Sequence, residues 1–386
     1  IARDVQLPWQ ELDLSGLSDA AQEAECARFL QEAKAVRFDP AQPPLLRFSL
    51  IQLATHRYRG VLTFHHILLD GWSMPMLLQE LIALYADGGN ERALPRVAPY
   101  RDYLAWLKGH DCSAAEQAWR EALAGLEEPT RLASIRATSP MAQEMVTWTL
   151  PETLANALNG QARQRRVTLN TLMQAAWGLL LSHLTARDDV VFGVTVSGRP
   201  PELPGVERMI GLLINTLPLR VRSSPTQSIA DLLTQVQDQQ TRLLENQHLS
   251  LTDIQHFAGL GELFDTLMVF ENYPFDRQTM QTAPDTLQLT GVEGNDATHY
   301  PLSLTVIPGV QLACRLGYRP DLFDRYAIER LMRRFNCLLE AIAQDPEQPI
   351  GGIELLEAAE RQQLLVEWNA TERAMPEATL VQLFEA

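Results

Sequence analysis

Apolar positions along this chain recur with two different periods, and the switches between them mark out its elements. From Ser18 to Val36 they return every three or four residues, the spacing of an amphipathic helix, and Ser18 supplies an N-cap hydroxyl. Residues 45–54 and 58–65 are apolar and β-rich, so they read as strands joined through Thr55-His56-Arg57. Leu77, Leu78, Leu81, Ile82 and Tyr85 then fall on one side of a helix. Ser73 is its expected cap, Pro75 is tolerated in its first turn, and Asp87-Gly88-Gly89 ends it. Two further helices are expected over 99–109 and 113–124.

A polar, proline-bearing stretch follows, and the second half opens with a strand at 144–150. A helix from Pro151, a strongly apolar helix at 169–184 and a strand of buried character at 190–196 come next. A helix is expected at 228–245, strands near 266–271, 286–292, 301–307 and 311–318, and a last helix at 322–343. Helices and strands mix in both halves, so the fold class is α/β, in an α+β two-layer arrangement. The divisions expected are an N-terminal lobe at 1–126, an inter-lobe connection at 127–143, a C-terminal lobe at 144–355 and a terminal linker at 356–386.

Composition narrows the function classes. The net charge of −16 argues against a nucleic-acid partner, because phosphate binding needs a basic surface. No apolar run approaches the ~20 residues that span a bilayer, and Ile1-Ala2-Arg3-Asp4 does not read as a signal peptide. Cys26, Cys112, Cys314 and Cys337 are scattered and read as small buried hydrophobes, which suits a reducing cytoplasm. No His or Cys stands at ligand spacing from His65-His66, so no metal site is expected.

The chemistry concentrates in Phe64-His65-His66-Ile67-Leu68-Leu69-Asp70-Gly71-Trp72-Ser73. An isolated His-His pair is more often a packed or incidental one. Here the pair closes a predicted strand just before a loop and a helix. Neighbouring strand residues point to opposite faces, so one imidazole faces the body of the protein while the other faces a cleft. That suits a proton-handling group in acyl transfer.

This His-His-x-x-x-Asp-Gly pattern resembles the condensation domains of nonribosomal peptide synthetases, relatives of chloramphenicol acetyltransferase. Further ordered segments carry the resemblance. Tyr100-Arg101-Asp102-Tyr103-Leu104-Ala105-Trp106 is similar to the family's Tyr-x-Asp-(Phe/Tyr)-Ala-x-Trp segment. Val196-Ser197-Gly198-Arg199-Pro200 matches its Ser-Gly-Arg element. The run from Ile210 to Arg220 matches Gly-x-x-x-Asn-Thr-x-x-x-Arg, and Thr298-His299-Tyr300-Pro301-Leu302 resembles its Phe-Asp-Leu segment. The family's opening Ser-x-Ala-Gln-x-Arg and Arg-His-Glu elements are not found before Asp39, so the chain reads as lacking the first elements of the domain. Its Arg-Asp-x-Ser-Arg segment is unrecognisable around 255–264. The terminal Leu364–Thr371 and Thr379–Phe384 runs resemble the junction into an adenylation domain, and no Gly-Gly-x-Ser carrier motif is present.

The resemblance implies two chloramphenicol-acetyltransferase-like lobes in a V with a tunnel between them. It implies amide formation, in which a carrier-bound aminoacyl amine attacks an upstream carrier-bound thioester. His66 and Gly71 are the expected catalytic residues, Gly71 through its amide at a developing oxyanion. His65, Asp70 and Arg199 support the active site, Asp70 by pairing with Arg199, although Asp70 also admits a triad-acid reading. Trp72, Ser73, Asn215, His299 and Ser303 are expected along the tunnel. Trp72 reads more as a packed wall than as a selectivity element, and Asn215 is equally readable as a strand-end hydrogen-bonding residue. No cofactor of the domain's own is implied, since the substrates ride on phosphopantetheine arms. The implied partners are upstream and downstream carrier proteins and an adjoining adenylation domain, with no nucleic acid and no membrane. An epimerisation domain, a silent docking domain and an acyltransferase using free coenzyme A thioesters are the competing readings.

Overall fold

The computed structural model describes residues 5–133, 143–272, 287–294, 298–309, 311–356, 358–372 and 379–385. The expected connection at 127–143 lies partly outside them, as do Ile1-Ala2-Arg3-Asp4 and the first residue of the strand expected at 286–292.

Short-range capping and alternation build the first elements. The strand β1 (Trp9–Asp13) precedes α1 (Asp19–Ala35), whose cap is Ser18, accepting the Ala21 N–H. Next come β2 (Leu46–Ala54) and β3 (Arg57–Phe64), an antiparallel pair with Leu46 opposite Phe64. β1 runs parallel to β2, with Trp9 stacked on Phe48 at 4.6 Å between ring centroids. Leu14, Cys26 and Ile51 form a small core here, joined by Leu12, Phe29, Leu53 and Val61. α2 (Ser73–Ala86) and α3 (Tyr100–Gly109) follow. Tyr103 of α3 packs with Val206, Met209 and Leu213 in a second buried cluster.

α4 (Cys112–Leu123) leads to the elements of a larger sheet. These are β4 (Glu144–Thr149), α5 (Glu152–Arg165), α6 (Leu169–Thr185), β5 (Asp189–Val196), β6 (Asn215–Arg222), α7 (Ile229–Leu243) and α8 (Leu251–Ala258). The series closes with β7 (Thr266–Phe270), β8 (Leu302–Ile307), β9 (Ala313–Tyr318) and α9 (Arg325–Gln344). The strand order is β4-β9-β8-β7-β5-β6, with β7 parallel to both β5 and β8. Every residue of α6 from Thr171 to Ser182 is buried, which is why its sequence is apolar all round and not on one stripe. Each fully buried Leu there contributes roughly 1.5–3 kcal/mol. Gly178 is required by the close approach of β6, because a Cβ there would stand 2.7 Å from Val221 Cγ2.

Contacts divide the chain into two compact units. One comprises Ile1–Cys112, Val196–Asn215 and Asn272–Asn295; the other comprises Ser113–Thr195, Thr216–Glu271 and Asp296–Ala386. The mixed α/β class expected from the sequence is borne out.

Several local expectations are corrected. Ser73 is the first helical residue of α2 and does not cap it; Trp72 occupies the cap position without a side-chain bond. Residues 287–292 form no regular strand despite their alternation, and Leu287, Leu289 and Val292 stay 38–53% exposed. Cys112 is exposed, unlike the buried Cys26 and Cys314. Among the described residues no helix is long and apolar enough to cross a membrane.

Candidate functional site

The histidine turn grows directly from the end of β3. Past Phe64 the His65 N–H still reaches the Leu45 carbonyl at 2.9 Å, so the pairing with the neighbouring chain segment continues for one residue. The chain then bends: the Leu68 N–H donates to the His65 carbonyl at 3.0 Å, and the Ile67 N–H donates to His65 Nδ1 at 3.1 Å. A neutral His65 ring accepting at Nδ1 carries its proton on Nε2. His65 and His66 are both half-buried. Gly71 and Trp72 form the short turn before α2 and are also half-buried.

Asp70 is the anchor of this turn. Its side chain is wholly buried, and six donors converge on its two carboxylate oxygens. Oδ1 accepts the Ser73 N–H at 2.8 Å, the Ser73 hydroxyl at 2.7 Å and Arg199 Nη2 at 3.3 Å. Oδ2 accepts Arg199 Nη1 at 2.9 Å and the N–H groups of Leu213 and Ile214 at 3.0 and 3.3 Å. A carboxylate offers about four lone-pair sites, so this one is saturated and has no acceptor capacity left for a histidine or a substrate. Burial alone raises the Asp70 carboxyl. Hydrogen bonds from Arg199 and Ser73, the Arg199 charge and the Leu213 N–H outweigh it and hold the group below the usual carboxylate range.

The arginine arrives on the segment that follows β5. Its guanidinium also meets the Ser197 and Met209 carbonyls at 3.3 Å each and lies 5.4 Å from the Trp72 ring centroid. Gly198 makes the bend possible. It holds φ +58°, and a Cβ there would stand 1.7 Å from the Leu213 carbonyl oxygen, so no other residue fits. The Ser73 hydroxyl completes the lattice. It accepts the Gly211 N–H at 3.0 Å and has the Gly211 carbonyl 2.9 Å away, as an alternative acceptor to Asp70. Ser73 is therefore fully buried beneath the turn.

Of the remaining expected residues, Asn215 is half-buried at the start of β6. In the second unit His299 is exposed, its ring 4.2 Å from that of Tyr300. Ser303 is buried in β8 with its hydroxyl 3.4 Å from the Gly317 carbonyl. The first unit thus joins Asp70, Ser73 and Arg199 in one lattice and carries His65, His66, Gly71 and Trp72 in the adjoining turn, while His299 and Ser303 belong to the other unit. Sequence reasoning misses the roles of Gly198 and of the Leu213 and Ile214 amides. Gly198 lies inside the Ser-Gly-Arg motif, but backbone donors leave no signal in residue type. No group of three or more His, Cys, Asp or Glu among the described residues is placed to hold a metal ion.

The site is thus a buried Asp–Arg lattice beneath a His-His turn, on a mixed α/β frame. The family model for the condensation domain matches residues 1–365, and the chain belongs to that family, whose members are parts of nonribosomal peptide synthetases. It is 38% identical over 390 residues to one of the linear gramicidin synthase proteins of Brevibacillus parabrevis, covering 97% of this chain but 5% of that protein. It is 32% identical to surfactin synthase subunit 3 of Bacillus subtilis, covering 95% of this chain and 29% of that one. The chain therefore spans only a small part of the length of these relatives. Two solved structures share its fold. The X-domain from teicoplanin biosynthesis has a TM-score of 0.76 at 20% identity, over 90% of this chain and 81% of that one. The starter condensation domain of rhizomide synthetase has 0.74 at 22% identity, over 92% and 81%.

Proposed function

We propose that this domain joins two carrier-bound substrates through an amide bond. The free amine of an aminoacyl thioester on a downstream carrier attacks the carbonyl of a peptidyl or aminoacyl thioester on an upstream carrier. The new C–N bond forms, the C–S bond breaks, and the upstream phosphopantetheine leaves as a thiol. The proton shed by the amine balances the thiolate. The phosphopantetheine arms belong to the substrates, and the domain supplies no cofactor of its own. An adjoining adenylation domain completes the set of partners.

The observation that carries this reading is the saturated Asp70. A carboxylate with six donors is a fixture and not a base, so proton handling falls to His66, next to the turn that Asp70 holds. An α-amine has a pKa of about 7.7–8.0, so roughly a tenth is already neutral at pH 7. The base is therefore needed less to create the nucleophile than to take its proton as the tetrahedral intermediate forms and collapses. General base catalysis supplies roughly 10²–10⁴-fold, whereas aligning two tethered reactants supplies ~7–11 kcal/mol. Positioning is the larger contribution. His66 orients the amine by a hydrogen bond and accepts its proton, and the Gly71 amide, just before α2, polarises the developing oxyanion.

The test is the intact mass of the acceptor carrier after mixing with donor-loaded and acceptor-loaded carriers, for the wild type and His66→Ala. Product on the acceptor, strongly slowed in the variant, is the expected result. No product from folded wild type with cognate substrates would overturn the condensation reading in favour of epimerisation or docking.

A further inference from the structure

Tyr100 opens α3, and no step of the reaction uses it. Its hydroxyl donates to the Leu212 carbonyl at 2.6 Å, across 112 residues of sequence. Its ring fills the space beside Gly211, where a Cβ would stand 2.3 Å from Tyr100 Cδ2. Leu212 lies in the middle of the segment that holds the histidine turn. On one side the Gly211 carbonyl accepts the Asp70 N–H at 3.2 Å, and the Gly211 N–H donates to Ser73 Oγ at 3.0 Å. On the other side the Leu213 and Ile214 N–H groups donate to Asp70 Oδ2.

Apolar packing already ties this segment to α3, through Tyr103 against Val206, Met209 and Leu213. Such contact is non-directional. It holds the segment near α3 without fixing which way its N–H and C=O groups point. A single short hydrogen bond to the carbonyl between those groups does fix it, because the peptide units on both sides of Leu212 are planar. Phenylalanine would supply the same ring packing, so only the directional requirement calls for the hydroxyl. Burial and the nearby Asp70 charge both keep that hydroxyl protonated, as a donor must be.

We propose that Tyr100 is a positioning residue for condensation: its hydroxyl sets the orientation of residues 211–214 so that they hold Asp70, and through it the His65–Gly71 turn, in the reactive arrangement. The inference rests on the reading of His66 given above.

The experiment uses Tyr100→Phe in the 386-residue chain, with Tyr103→Phe on the same helix as the comparison for loss of any hydroxyl. Hydrogen exchange is followed on peptides spanning 65–73 and 209–216, and kcat and KM are measured with both substrates carrier-bound. The expected result is faster exchange in both regions in Tyr100→Phe alone. With it, kcat falls about two- to tenfold at unchanged KM, the loss of one ordinary hydrogen bond. Unchanged exchange would overturn the inference, and so would faster exchange at unchanged kcat, or a fall in kcat no larger than the loss of folded protein. If the wild type forms no amide at all, the condensation reading fails separately, and exchange still decides whether the hydroxyl orients the turn.

Discussion

Asp70 and Arg199, 129 residues apart in sequence, meet in a doubly hydrogen-bonded ion pair whose side chains are 0% and 5% exposed. Sealing two charges from water is costly, and the pair persists because every carboxylate lone pair is met. Breaking such a pair from one side leaves an uncompensated buried charge and costs about 3–5 kcal/mol. Arg199→Ala should lose that much in a urea unfolding curve. Arg325→Ala, whose exposed pair is with Glu329 one turn along the same helix, should lose almost nothing. Equal losses in the two variants would show that the buried pair is not what secures the turn.

The same pair sets a pH dependence. The Asp70 carboxyl titrates below its unfolded value when folded, so the folded state binds its proton more weakly. Its contribution is therefore fully present above the unfolded pKa of about 3.9 and is lost as pH falls through the lower folded value. Unfolding free energy measured between pH 5 and the acid limit should fall less steeply in Asp70→Asn than in the wild type. A variant with the wild-type slope would assign the acid sensitivity to other carboxylates.

Gly198 allows a cleaner test of geometry. Gly88 holds nearly the same backbone, φ +60° against +58°, but with open space around its missing Cβ. Gly88→Ala should pay only the left-handed backbone cost, about 1–2 kcal/mol. Gly198→Ala adds a collision with the Leu213 carbonyl, so the Asp70 donors must shift as well. Thermal melts should show Gly198→Ala well below Gly88→Ala, or not folded at all. Matching melting temperatures would mean that the 213–214 segment is free to move away.

What can be read from the sequence follows the range of the interactions involved. α1 runs within a residue of its expected limits because the Ser18 cap and the apolar period lie within the helix itself. The 46–64 hairpin is legible for the same reason. β1 is not, since Trp-Gln-Glu-Leu-Asp is polar and mostly exposed and becomes a strand only by pairing with β2. β6 contains Pro218, which argues against a central strand, and it lies at the edge of its sheet, where proline is tolerated. Ser73 misleads because its local signal, a hydroxyl before an apolar helix, is that of a cap. Its hydroxyl instead joins Asp70 to Gly211, which is 138 residues away. The residue types of the site are visible in the motifs, but the lattice joining 65–73, 197–199 and 209–214 is long-range and partly backbone, and composition does not encode it.

His66→Ala separates proton handling from positioning. If the tethers and the Asp70 lattice provide the larger share, the variant keeps measurable turnover while losing up to roughly 10²–10⁴-fold. The residual reaction then depends on amine that is already neutral. That fraction rises from roughly a tenth at pH 7 toward unity above the amine pKa of about 7.7–8.0. The variant's rate with both substrates carrier-bound should therefore climb nearly tenfold between pH 7 and 9 and level off, with a shallower rise in the wild type. Single-turnover assays across that range check it. A variant within a few-fold of wild type at pH 7 would exclude a major role for the imidazole. A variant with no turnover at any pH would mean that the proton transfer, and not the alignment, dominates the barrier.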